Sequence, residues 1–357
     1  MDVTAYMEQH GHEQLSVYTD TSAGLRAYIA IHDTTLGPSL GGVRVWPHPT
    51  EDEALMDVLR LSRAMTYKSA AAGLHFGGGK GLIVADSRND KTEAMMRAFG
   101  RFVDTLGGRY LTTEDVGASL LDLEWIAEET SHVMGLPVSR GGSGETSEMT
   151  GWGVYRGLQA CAEEVWGNKS LSGKTIALQG FGHTATFLAN HLLEREEGVK
   201  FIVADLNEDA LNRARELLGA TIVSPNDIYD IECDILSPCA LGGVLNRETI
   251  PRLKCKIVCG SANNQLLEDT DAATLQNREI LYAPDYIVNA GGVINISFES
   301  DHGYSEEAAL EKTARIYETM LQVIDIAKSQ KTTTAKAADK LAEERVLSAK
   351  NIREIFR

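Results

Sequence analysis

Lys68 and Lys80 flank a run of small and apolar residues that ends in Gly77-Gly78-Gly79, and Leu82-Ile83-Val84 follows the second lysine. Lysines are rarely placed among Ala, Leu, Phe and Gly without a purpose. One desolvated in such surroundings loses preference for its charged form and can act as a general base, while the other stays cationic and holds an anion. Successive glycines let the backbone come close to a ligand or to another segment, leaving the next lysine at a rim. The same residues also fit a tight turn ahead of a strand, with Lys80 in solvent. A phosphate-binding loop is excluded. It needs a glycine, four residues, Gly-Lys and then Ser or Thr, whereas Leu74 stands at the first glycine position and Gly81 follows the lysine.

Asp115 is the next candidate. In Arg109-Tyr110-Leu111-Thr112-Thr113-Glu114-Asp115-Val116-Gly117 a short strand runs into two carboxylates and a glycine. A carboxylate at a strand end can carry protons; a solvated loop acid, or a cap for a helix after Ala118, is the other reading. Further on, Gly180-Phe181-Gly182-His183-Thr184-Ala185 forms a G-x-G-x-x-A pattern, entered from a strand over 174–179 and opening a helix over 186–194. Gly180 makes the turn, Gly182 lets a pyrophosphate approach the helix N-terminus, and Ala185 permits close packing of helix on strand. A strand over 199–204 then ends at Asp205, placed to accept from the adenosine ribose hydroxyls and to repel a 2′-phosphate. NAD is therefore expected rather than NADP. Arg213, the nearest downstream cation, falls inside the following helix and is expected to face solvent.

The elements that carry these groups follow from periodicity. Residues 26–32 read as a strand that leads into a turn-rich loop over 36–42. Thr50 with Glu53 makes a capping box for a helix that delivers Lys68 at its C-terminal end. A helix over 91–106 buries Met95, Phe99, Phe102 and Leu106 and stops at Gly107-Gly108. Around Arg140-Gly141-Gly142-Ser143-Gly144 periodicity is lost, which marks a hinge or domain boundary. Beyond a helix over 150–166, strands over 174–179, 199–204, 221–223, 233–236, 256–259 and 279–282 alternate with helical or turn-like segments, the pattern of a parallel doubly wound α/β sheet. Ligands bind at the ends of such strands, here Pro238-Cys239-Ala240, Gly260-Ser261-Ala262-Asn263-Asn264-Gln265 and Asn289-Ala290-Gly291-Gly292. Paired asparagines there can orient amides, or simply close turns. A helix starts after Ser305 with Leu310, Ala314, Tyr317, Leu321 and Ile324 as one apolar stripe, and a last charged helix covers 335–346.

At 357 residues the chain has room for two domains. With 34 Lys plus Arg against 51 Asp plus Glu it is strongly acidic, which argues against nucleic acid and anionic membranes as partners and for a small molecule. No basic leader or spanning-length apolar run is present in the sequence, so a cytoplasmic location is expected. Five cysteines without a Cys-x-x-Cys pair read as reduced core thiols, and nine histidines show no metal-ligand spacing, so no metal site is expected.

Ile29-Ala30-Ile31-His32-Asp33-Thr34-Thr35-Leu36-Gly37-Pro38, Gly41-Gly42-Val43-Arg44, Met65-Thr66-Tyr67-Lys68, Gly77-Gly78-Gly79-Lys80, Thr113-Glu114-Asp115-Val116-Gly117, Gly260-Ser261-Ala262-Asn263-Asn264-Gln265 and Asn289-Ala290-Gly291-Gly292-Val293-Ile294-Asn295 together resemble the glutamate/leucine/phenylalanine/valine dehydrogenase family. The motifs stand in the family's order over essentially the whole chain. The resemblance implies an N-terminal α/β catalytic and oligomerisation domain over 1–140, a Rossmann-type NAD domain over 141–330 with a cleft between the two, and C-terminal helices over 331–357 packing back on the first. It implies NAD-dependent oxidative deamination of an amino acid to the 2-oxo acid and ammonium, by a homo-oligomer. Lys68 would bind the substrate α-carboxylate, Lys80 would be the general base acting through a water, and Asp115 would relay protons to and from the amino group. Gly41 or Gly42 would lie beside the substrate, Asn264 or Asn263 would help hold substrate or cofactor, and Thr150 and Asn289 would fix the nicotinamide amide.

Positions that match the family's side-chain pocket are Leu40, Thr113, Val293 and Ile296, none of them cationic. A glutamate side chain would lie there unpaired, so an apolar amino acid is expected, of the leucine, valine or isoleucine type, with phenylalanine or tryptophan as the alternative. Thr113 stands where a smaller alanine is usual in relatives that act on leucine, a lean towards valine or 2-aminobutyrate. His183-Thr184-Ala185 stands where Asn-Val-Gly is frequent in the family. A non-catalytic NAD-binding sensor is the reading from another class, and the joint presence of Lys68, Lys80 and Asp115 counts against it.

Overall fold

Five strands in the first third of the chain form one sheet, and its inner strands are buried almost without a break. The computed structural model describes residues 2–299 and 303–355. They form two units, one of Met1–Glu145, Ile296–Ser305 and Ala342–Arg357, the other of Thr146–Asn295 and Glu306–Leu341.

In the first unit, α1 (Val3–His10), β1 (Gln14–Asp20), β2 (Leu25–Asp33), β3 (Ser39–Val45), α2 (Glu51–Ala71), β4 (Gly77–Ile83), α3 (Glu93–Asp104), β5 (Tyr110–Glu114) and α4 (Leu120–Ala127) follow in order. The sheet runs β1-β2-β4-β3-β5, with β1, β2 and β4 antiparallel in turn and β3 parallel to both β4 and β5. One face buries Tyr28, Ala30 and Leu82 against Ala54, Val58 and Leu59 of α2. The other buries Ile29, Val43, Ile83 and Tyr110 against Met96 and Phe99 of α3 and Leu123 and Ile126 of α4. Each such large apolar side chain contributes about 1.5–3 kcal/mol on burial. Helices α2, α3 and α4 start on side-chain caps: Thr50 accepts from Glu53 N, Thr92 from Met95 N, and Ser119 pairs with Asp122 in a capping box. Ser119, not Asp115, is thus the cap of α4.

One expectation and one alternative reading fail here for one reason. The loop expected over 36–42 gives way at Ser39 to β3, and Gly77-Gly78-Gly79 lies inside β4 rather than in a turn before it. Glycine is read as punctuation because it weakens strands, yet these glycines sit where backbones and side chains from neighbouring elements leave no room.

The second unit begins with α5 (Ser147–Trp166) and continues through β6 (Thr175–Gln179), α6 (His183–Arg195), β7 (Lys200–Ala204), α7 (Glu208–Leu218), β8 (Thr221–Ile222), β9 (Ile235–Pro238), β10 (Ile257–Val258), α8 (Asp271–Asn277), β11 (Leu281–Tyr282), α9 (Asp285–Val288) and α10 (Gly291–Ser297). Its sheet is wholly parallel in the order β11-β10-β9-β6-β7-β8. That is the doubly wound arrangement, with the order reversing between β6 and β9. The single helix expected after Ser305 is two, α11 (Glu306–Ala314) and α12 (Ile316–Gln330). Their buried positions are Ala309, Thr313, Ile316, Met320, Val323, Ile324 and Ala327, so of the stripe read from Leu310 onward Ile324 is buried and Leu310, Ala314, Tyr317 and Leu321 are not. The last helix, α13 (Thr334–Ile355), outruns the expected 335–346. All five cysteines are free thiols, and among the described residues no helix is long and apolar enough to cross a membrane.

Candidate functional site

Three parallel strands place the candidate side chains of the first unit in one row. The register of Leu40 with Gly78 and Val43 with Gly81 sets Gly42 beside Lys80, and Gly42 pairs directly with Thr113. Side chains alternate along strands, so Leu40, Gly42 and Arg44 of β3, Lys80 of β4, and Thr113 with Asp115 just past β5 share the face that α2 covers. Gly42 has to be glycine. A Cβ there would meet Asp115 Cβ at 2.7 Å and Glu114 O at 2.3 Å. Gly41, its neighbour, is pressed on β4, and its carbonyl accepts from the Tyr110 hydroxyl at 2.6 Å.

Lys80 is 5% exposed, which removes the solvated-turn reading, and its Nζ lies 2.8 Å from Asp115 Oδ2. Burial works against an ionised Asp115, but Lys80 and Arg44 outweigh it and hold the carboxyl below its usual range. Glu114 next door goes the other way, pushed up by burial and by the charges of Glu145 and Asp115. Lys68 stands in the last turns of α2, half-buried. Three helical turns separate it from Asp57, so both lie on one side of α2, and Asp57 is the residue that meets Arg44. The C-terminal turn of α2 is tied down by α13. Arg345 Nη1 and Nη2 donate to the carbonyls of Ala70 and Leu74 at 2.8 and 2.9 Å, and the Tyr67 hydroxyl donates to Glu343 at 2.7 Å.

Of the pocket positions, Leu40 and Ile296 are buried, and Thr113 Oγ1 is buried without a hydrogen-bond partner. Thr113 and Ile296 both line Gly135, whose N–H, with that of Ser143, donates to the Glu299 carboxylate. Val293 on α10 is also buried.

The second unit gathers its groups at the C-terminal ends of its strands. Gly180 has φ +93°, and a Cβ there would meet Ala240 Cβ at 2.7 Å. Gly182 caps α6 and faces open space, with His183 exposed and Thr184 half-buried after it, while Phe181 and Ala185 are buried. Asp205 Oδ2 accepts from Phe181 N at 2.7 Å, and Oδ1 accepts from Asn207 N at 2.8 Å. Arg213 is exposed as expected, although its Nη2 reaches Phe181 O at 3.5 Å. Asn289 Nδ2 donates to Ser261 O and to Asn263 Oδ1 at 3.1 and 2.8 Å. Its Oδ1 is buried without a partner. Thr150 Oγ1 donates to Thr146 O and abuts Gly292. Asn264 is exposed with φ +52°, and its N–H donates to the Asp285 carboxylate. A free helix N-terminus beside a carboxylate, and an orphaned amide oxygen that could accept from a carboxamide, both fit a bound dinucleotide.

Arg44 and Asp57 were missed as members of the site. Arg44 lies inside a motif already singled out, but its role depends on a partner 71 residues away.

Two family models match the chain. One, described as Glu/Leu/Phe/Val dehydrogenase, dimerisation domain, covers residues 12–132. The other, described as Glutamate/Leucine/Phenylalanine/Valine dehydrogenase, covers residues 141–207 and 203–353. The chain is 51% identical to a leucine dehydrogenase of Geobacillus stearothermophilus and 50% identical to one of Bacillus cereus, in each case over 100% of this chain and 96% of the relative. Its fold matches the crystal structure of L-tryptophan dehydrogenase from Nostoc punctiforme with a TM-score of 0.85 and 42% identity, covering 98% of this chain and 99% of that one.

Proposed function

Because the chain belongs to the glutamate/leucine/phenylalanine/valine dehydrogenase family and is an amino-acid dehydrogenase that works with a nicotinamide cofactor, we propose that it carries out the reversible, NAD-dependent oxidative deamination of a branched-chain L-amino acid. The products are the 2-oxo acid, ammonium, NADH and a proton. The observation that carries this reading is the buried Lys80–Asp115 pair at 2.8 Å, set across a glycine gap from Thr113.

In this reading Lys68 holds the α-carboxylate. Asp115 receives a proton from the substrate amino group, and Lys80 takes one from the water that attacks the carbon of the resulting iminium. A carboxylate beside that carbon is needed because positive charge develops at nitrogen. The nicotinamide, when bound, accepts the hydrogen and electron pair that leave Cα. Asn289 Oδ1 and Thr150 hold its carboxamide, the Gly180–Ala185 turn with Ala240 and Asn263 cradles the rest, and Asp205 receives the adenosine ribose. Leu40, Thr113, Val293 and Ile296 receive the substrate side chain, and Asn264 lies among the groups that hold substrate or cofactor. The partners are small molecules, and the chain works as a homo-oligomer in the cytoplasm.

The test is the initial rate of NADH formation at alkaline pH with valine, leucine, isoleucine, 2-aminobutyrate, phenylalanine, tryptophan and glutamate. Aliphatic substrates are expected to lead. An aromatic lead, which the likeness to the L-tryptophan dehydrogenase fold keeps in view, would overturn the pocket reading. NAD binding without turnover on any substrate would overturn the enzymatic one.

A further inference from the structure

One guanidinium joins the reacting carboxylate to the helix that carries Lys68. Arg44 Nε donates to Asp115 Oδ2 at 3.0 Å, the oxygen that Lys80 also reaches. Arg44 Nη1 donates to both oxygens of Asp57 on α2, at 3.3 and 3.1 Å, and His48 Nε2 lies 3.2 Å from Asp57 Oδ2. Arginine offers its donors in a rigid plane, so gripping one edge with Asp57 aims the other. We propose, resting on the reading of Asp115 as the proton carrier, that Arg44 is a positioning residue which, held by Asp57, fixes Asp115 beside Lys80 and keeps it ready to receive a proton rather than already holding one.

The charges around Asp115 make the consequence readable. Lys80 faces it from β4, Arg44 from β3, and Glu114 and Tyr110 from its own strand, while Asp57, His48 and Lys68 stand beyond Arg44 or along α2. Burial and the neighbouring Glu114 both favour a protonated Asp115. Lys80 and Arg44 oppose them. Arg44 is itself secured: burial disfavours its charge, but Asp115 and Asp57 outweigh that and raise its proton affinity above the ordinary value. Without the guanidinium, Lys80 and the Val116 N–H are left to oppose protonation, and the carboxylate fills at higher pH. Arg44 cannot pass protons itself, since it stays charged throughout the working range, so its contribution is field and orientation.

The experiment is the pH titration of the Asp115 carboxyl carbon, followed by 13C NMR in the unaltered protein, Arg44→Met, Arg44→Lys and Asp57→Asn, with kcat/KM for deamination and equilibrium NADH binding measured on each and on Asp115→Asn. The carboxyl is followed directly because the rate profile also counts the neutral Lys80 needed as base. Arg44→Met is expected to move the Asp115 titration upward by about one pH unit or more, Arg44→Lys to restore most of its position, and Asp57→Asn to give a smaller shift in the same direction. Asp57→Asn leaves Arg44 in place and reports even if Arg44→Met does not fold. A loss of rate with the Asp115 titration unmoved would overturn the proposal, since a merely structural role predicts that. Asp115→Asn separates the two assignments. Full turnover in that variant overturns the role of Asp115 itself, whereas an inactive Asp115→Asn beside an unshifted Arg44→Met overturns Arg44 alone.

Discussion

The first unit builds its candidate site from side chains along three parallel strands, while the second builds its own from backbone and amides beyond strand ends. In the first, Lys80, Arg44 and Asp115 are ionisable and largely buried, and each is answered by another of the group or by Asp57. Leaving one such charge unpaired is costly, so strand register and glycine gaps fix where each can stand. In the second, the polar groups are N–H donors at a helix start, one carboxylate already satisfied by two backbone amides, and an amide oxygen left open. Chemistry demands preorganised charge, whereas a cradle demands open backbone. The same α/β layering serves both because a parallel sheet offers a rigid interior and an irregular edge.

If the division is real, Lys80→Ala breaks one half only. Turnover should fall by about 10²–10⁴-fold, the usual range for losing a general acid or base. NADH binding, followed by nucleotide fluorescence, should change little, because the strand-end cradle is built from residues of the second unit, whereas Lys80 stands on β4 of the first. Comparable losses in both measurements would mean that the two sites are not separable.

A second difference concerns acid. Beside β4 the first unit buries His32, whose Nε2–H donates to His10 O at 2.9 Å while Nδ1 pairs with Thr66 Oγ1 at 2.8 Å. Burial, chiefly, lowers its pKa from 6.5 to about 4. His12, ring to ring with it, is lowered by burial as well. A histidine kept neutral in the fold stabilises fully above the unfolded value of 6.5, and that stability is lost as pH falls towards 4, where the unfolded chain has already taken the proton. For His32 alone the loss between about pH 7.5 and about pH 5 is ~2 kcal/mol. Urea unfolding midpoints at those two values should show it, His32→Gln should flatten the slope, and hydrogen exchange at the lower pH should open β2 and α2 before β6 and β7. Protection lost first in the second unit would contradict the assignment.

Much of the strand-end cradle was legible in the sequence, since Gly180, Gly182, Ala185 and Asp205 are close in sequence and each answers a local backbone need. The buried row of the first unit was legible only as separate motifs. Lys68 and Lys80 stood out by their apolar setting, but β3 was hidden because Gly41 and Gly42 are poor strand formers. They are tolerated there because Asp115 and the β4 backbone fill their side-chain space. Arg44 and Asp57 escaped because an ion pair depends on register and helix phase, which no local pattern encodes. The break between α11 and α12 escaped for a similar reason: the buried face follows packing on α5, not the strongest apolar stripe.

The smallest effect is expected at the cradle and sharpens what its one carboxylate does. Asp205 is oriented by Phe181 N and Asn207 N, leaving further lone pairs for ribose hydroxyls and a negative charge against a 2′-phosphate. Asp205→Asn keeps the size and one acceptor but removes the charge, so the preference for NAD over NADP in kcat/KM should fall about tenfold, ~1.4 kcal/mol. Arg213, with its guanidinium 3.5 Å from Phe181 O, is a cation beside the same turn, and adding Arg213→Ala should take back the gain in NADP use. The rate at saturating NAD should stay within a few-fold, because Lys80 and Asp115 are untouched. An unchanged cofactor ratio in Asp205→Asn would mean that shape at the Gly180–Gly182 turn, not charge at Asp205, makes the choice.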